Sequence, residues 1–112
     1  MDKKLRDIIY PTVKRQFDKL HMWSKTTSKF KPPYYDVSMI FRDDDDEELM
    51  NYSVTQNELW VDYKYFMLKY FGEGKEKKEF YKEIFIDLLN DYFERTMEDI
   101  VVDKDVTFEL FY

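Results

Sequence analysis

Between residues 34 and 54 the chain alternates, breaks off into six consecutive acids, and alternates again. Tyr35, Val37, Met39 and Phe41 fall on one side of an extended backbone, with Asp36, Ser38 and Arg42 on the other. A period of two is the mark of a half-buried strand. Asp43, Asp44, Asp45, Asp46, Glu47 and Glu48 are expected to be solvated, so the strand ends there. Met50, Tyr52 and Val54 then line the core face of a short second strand over 49–54. A sheet with one apolar face has to be covered, and helices are the natural cover.

Two segments supply such helices. Leu5, Ile8, Ile9, Val13, Phe17 and Leu20 recur at steps of three and four, with the helix expected to fade over 21–24. Pro11 lies inside this pattern and predicts a kink or restart, because it lacks an amide donor and crowds the preceding turn. Residues 75–97 give the second helix. Its stripe is Tyr81, Ile84, Phe85, Leu88, Leu89, Tyr92, Phe93 and Met97, opposite Lys78, Lys82, Glu83, Asp87, Asp91, Glu94 and Arg95. Residues 24–33 are polar and basic and end in two prolines, which predicts an internal loop.

Residues 58–71 fit two patterns. Leu59, Val61, Tyr63, Tyr65 and Met67 alternate with Trp60, Asp62, Lys64, Phe66 and Leu68, and the residue types favour a strand. The rival is a helix capped by Asn57 and stopped by Gly72. The strand is the reading adopted. At the end of the chain Val106, Phe108, Leu110 and Tyr112 alternate with Thr107, Glu109 and Phe111, after a turn at Asp103, Lys104 and Asp105. The expected fold class is therefore α+β, a mostly antiparallel sheet of three to four strands packed by two amphipathic helices, in the order α-β-(β)-β-α-β. A length of 112 residues fits one compact domain over 1–112.

Absent residue types narrow the chemistry. With no cysteine there can be no disulfide, thiol nucleophile or cysteine-ligated metal. His21 is the sole histidine, so histidine relays and zinc sites lack partners, and a structural role beside a helix end is expected. Two glycines, Gly72 and Gly74, do not make a phosphate-binding loop. The acid run fails as a calcium loop, since Glu48 and Val54 stand where Gly and Glu are required. No cofactor or metal is expected, nor catalysis. No apolar stretch is long enough to span a membrane and no secretory signal is visible. The expected location is the cytoplasm or a particle assembled there.

Charge and aromatic content remain as functional signals. Residues 1–33 hold nine Lys/Arg and three Asp/Glu, a net of +6, whereas residues 34–112 hold nine and twenty-one, a net of −12. The acid run is either a solvated turn, a loose site for a hard cation, or a docking point for a basic partner. Lys25, Lys29 and Lys31 interleave with Trp23, Phe30, Tyr34 and Tyr35, a pattern that suits single-stranded nucleic acid. The sequence pI of about 4.8 argues against that partner. Twenty per cent of the chain is aromatic, more than one small core hides with ease. Tyr34, Trp60, Phe66, Tyr70 and Phe111 are the candidates for exposure and partner binding, together with the six acids.

In element order alone, helix, two strands, helix, strand, the chain resembles small phage tail-terminator and head–tail connector proteins. The resemblance implies ring formation without chemistry. The leading expectation is a non-enzymatic protein–protein interaction or assembly module, its partner another protein or a second copy. The alternative is an acidic inhibitor that mimics nucleic acid and blocks a host enzyme.

Overall fold

A computed structural model describes residues 3–29, 35–55, 58–71, 78–98 and 100–111. Its elements, in chain order, are α1 (Lys3–Phe17), β1 (His21–Lys29), β2 (Tyr35–Arg42), β3 (Glu48–Thr55), β4 (Glu58–Asp62), α2 (Lys64–Phe71), α3 (Lys78–Arg95) and β5 (Thr107–Phe111). The class is α+β, as expected, with one more strand and one more helix than the sequence pattern suggested. The strands form one sheet in the order β1-β2-β3-β4-β5. The first three pairings are antiparallel; β5 lies parallel to β4, reached through α2 and α3.

The alternating segments behave as their period demands. Val37, Met39 and Phe41 of β2 are buried, as are Met50, Tyr52 and Val54 of β3 and Leu59 and Val61 of β4. The helices lie against this face. Phe17 of α1 meets Phe41 at 5.2 Å between ring centres, and Tyr92 of α3 meets Phe41 edge-on at 5.3 Å. Phe85 of α3 packs on Tyr63, between β4 and α2, at 5.2 Å. Tilted and edge-on contacts of this kind suit the ring quadrupoles and add to the area buried.

Four expectations are corrected. Residues 21–29, expected as helix end and loop, form edge strand β1, which pairs from His21↔Arg42 to Lys29↔Tyr35. An edge strand needs few apolar residues, and lysine on it discourages further pairing. The first helix therefore ends at Phe17, through a tight turn in which Leu20 N–H reaches the Phe17 carbonyl at 3.0 Å. It runs unbroken past Pro11, whose ring is exposed.

Residues 58–71 divide between both readings. The strand ends at Asp62, whose carboxylate accepts Lys64 N–H at 3.3 Å. The Tyr63 carbonyl then accepts Met67 N–H at 2.9 Å and a helix begins. Ile8 and Met97, expected inside the two helix stripes, are exposed. The buried side of α1 runs instead through Val13 and Phe17, with Ile9 and Tyr10 packed partly against the core. Met97 leaves α3 because the helix has already closed: Glu98 N–H bonds the Phe93 carbonyl at 2.8 Å and Met97 N–H the Glu94 carbonyl at 3.2 Å. That double closure needs a left-handed residue between its partners, and Met97 takes it with φ 59°.

Candidate interaction surfaces

The acid run is a built turn rather than a loose one. Asp43, expected in solvent, is buried. One of its carboxylate oxygens accepts the backbone N–H groups of Asp45 and Glu47, both at 2.9 Å, and the other takes the Lys69 ammonium from α2. Asp43 N–H donates to the Glu47 carbonyl at 3.0 Å, and Asp46 closes the turn in the left-handed region at φ 61°. The Lys69 ammonium, aided by the two amides and opposed by burial, holds the Asp43 carboxyl below the usual carboxylate range. The same pair raises the Lys69 ammonium above the usual lysine range. His21 Nε2–H donates to the Asp43 carbonyl at 3.0 Å, a structural role at the start of β1 rather than at a helix end. Asp44, Asp45, Asp46, Glu47 and Glu48 are left exposed.

Beside this turn runs a shallow groove of about 530 Å³, lined by Glu47, Glu48, Leu49, Tyr65, Leu68 and Lys69. Tyr65 and Leu68 project from α2 with 57% and 45% of their surface exposed, while Leu49 is buried at the groove floor. Leu49 comes there through an irregularity in the β2–β3 register, where Phe41 pairs Met50 but Arg42 pairs Glu48. Lys64 lies over the Tyr65 ring at 5.8 Å.

The second surface is the sheet face away from the helices. Ser24, Thr26, Ser38, Ile40, Asn51, Ser53, Trp60 and Asp62 line a concavity of about 380 Å³ on it. Three of the cross-strand neighbours there are small, Thr26 opposing Ser38 and Ser38 opposing Ser53, and Ser53 in turn opposes the large ring of Trp60. Trp60 is 42% exposed, its indole N–H held by Glu58 at 2.7 Å. Arg42, on the same face as Ile40, stacks its guanidinium 3.7 Å from the centre of the Trp23 ring. Trp23 is itself 57% exposed. Among the described residues no helix or loop covers this face.

The remaining sequence candidates scatter. Phe66, expected outside, is fully buried, because the second half of 58–71 is helical and turns it toward the core. Tyr70 is half-buried against Phe66 at 5.3 Å. Lys25 is paired with Glu98, so it does not belong to a free basic patch. Lys29 and Phe111 end β1 and β5, but their side chains lie outside the described residues, as do Lys31 and Tyr34. Ile40, Tyr65 and Leu68 were missed as surface groups, whereas Trp23, named beside the basic linker, is exposed. Ile40 was legible as an apolar residue on the polar side of an alternating strand.

Part of the split charge is met within the chain. Arg6 pairs with Asp87, and Lys14 with Asp91 at 3.2 Å and Asp18 at 3.0 Å. Arg95 reaches Asp18 at 3.5 Å, and Lys104 reaches Asp87 at 3.5 Å. Among the described residues no three of His, Asp and Glu are grouped to hold a metal ion, and no helix is long and apolar enough to cross a membrane. Comparison with protein families, curated proteins and solved structures finds no match.

Proposed function

We propose that this chain is a non-enzymatic protein-interaction or assembly module, and that the uncovered sheet face is where its partner docks. One observation carries the reading: Trp60 and Ile40 stand among small hydroxyl side chains, with Trp23 stacked on Arg42, on a sheet face that no other element covers among the described residues. Small neighbours let a partner approach the backbone closely, and tryptophan supplies rigid area with a polar edge, the usual composition of interface anchors. The α1–α3 ion pairs support contact through rings and hydroxyls rather than through opposed charges. In the assembly form of the reading, the partner is a second copy of the chain.

A photo-crosslinking amino acid tests this in the producing cell. Placed at Ser38 or Ser53 it should give one discrete adduct, either with a second copy or with a single partner. Placed at Glu94, exposed on α3, it should not. A chain that stays monomeric by sedimentation and gives no open-face adduct contradicts the proposal.

A further inference from the structure

We infer that the groove between the acid turn and α2 takes a basic peptide segment of a partner protein, anchored by an aliphatic side chain. The inference rests on the interaction reading above but concerns a different surface. The groove itself is apolar at its centre: Leu49 forms the floor, and Tyr65 and Leu68 expose their rings and methyls along one wall. An exposed aliphatic and an exposed aromatic one helical turn apart offer a slot for a branched side chain, as helix and strand grooves do elsewhere.

Charge complementarity selects the occupant. Glu47 and Glu48 form the facing wall, and Asp44, Asp45 and Asp46 continue the same turn. Among the described residues two lysines stand nearby, and His21 Nε2 lies 3.7 Å from Asp44. Lys69 is engaged with Asp43, and reaches Asp45 and Glu47 only at 3.9 and 3.8 Å. Lys64 lies over Tyr65 at the start of α2. Five exposed carboxylates against these two lysines leave a negative rim, which favours lysine and arginine on either side of the apolar anchor and repels acidic chains. The rim is held in one shape before any partner arrives, since Asp43 and Lys69 fix the turn from beneath. A preformed rim reduces the ordering cost of binding.

The probe is the synthetic peptide Lys-Lys-Leu-Leu-Lys-Lys, titrated into the full chain by calorimetry and by amide chemical-shift mapping. Shifts are expected at Glu48, Leu68 and Lys69. Replacing both leucines of the peptide with serine should weaken binding more than about tenfold. Leu68→Asn should do the same, and so should the combined changes Glu47→Gln and Glu48→Gln, which leave the Asp43–Lys69 pair intact. No binding overturns the inference. So does equal binding of the serine peptide, or indifference to Leu68→Asn; either outcome returns the turn to a charge-only role, as in a mimic of nucleic acid. The adduct from Ser53 reports the open face separately, so loss of the groove and loss of the interaction reading are told apart.

Discussion

The hydroxyl of Tyr52 is buried in the ring cluster with Phe17 and Phe41, and it has no hydrogen-bond partner among the described residues. Burial pushes its phenol far above the usual tyrosine range. A buried polar atom without a partner contributes nothing to stability, whereas the ring fills the core. Tyr52→Phe should therefore be neutral or stabilising by up to about 1 kcal/mol, and Tyr52→Ala should cost about 3–5 kcal/mol. Urea unfolding measures both; a large loss in the phenylalanine variant would show a hidden partner. Met97 carries the opposite kind of strain, an unbranched side chain in the left-handed region at a helix end. Met97→Gly should raise stability by about 0.5–1 kcal/mol, read from the same unfolding curves. Asp43 links stability to acid. Its folded pKa is depressed, so its contribution is complete above the unfolded carboxylate value of about 3.9 and is lost as pH falls through the lower folded one. Below about pH 4 the wild type should lose stability more steeply than Asp43→Asn. Equal slopes in the two proteins would contradict the Lys69 pairing.

At the scale of elements, what was legible follows from period and what was missed follows from context. β2, β3 and α3 carry one clear period each, and each was placed from the sequence. Residues 58–71 change period at Tyr63, so any single reading of that window fails on one half. β1 offered little hydrophobic signal, because one face of this edge strand is open and the other carries Lys25, bound to Glu98, at its middle. Residues 100–102 lie outside the sheet, and a side chain takes the place of a neighbouring strand. Asn90 Nδ2–H donates to the Val102 carbonyl at 3.0 Å, and its oxygen accepts Val102 N–H at 2.8 Å. That clamp seats Ile100 and Val102 in the core ahead of β5. Asn90→Ala should leave both Val102 groups unpaired and cost about 1–3 kcal/mol, with faster amide exchange at Val102. Unchanged exchange there would mean that the loop is held by packing alone.

For the whole molecule, the sequence revealed a basic first third against an acidic remainder, and the fold shows where part of that imbalance goes. Arg6 and Lys14 of α1 meet Asp87 and Asp91 of α3, so part of the polarity suggested by the chain is met internally. The acid turn and the open sheet face remain outside this pairing. The acid turn was visible in the sequence as a run of one charge; its buried anchor Asp43 was not, because nothing in the run distinguishes the first acid from the rest. The open face was half visible, as the polar side of alternating strands, but which rings stand on it depended on the bulge at β1 and the switch at Tyr63. The measurement that tests the account most directly is the yield of the Ser53 photo-adduct in wild type and in Trp60→Ser. Trp60 is 42% exposed on the open face, so the variant should stay folded with a lowered unfolding midpoint, and the adduct is compared per folded chain. The variant should lose more than about tenfold of the adduct. An adduct of undiminished yield, or one formed equally from Glu94, would contradict the open face as the docking surface.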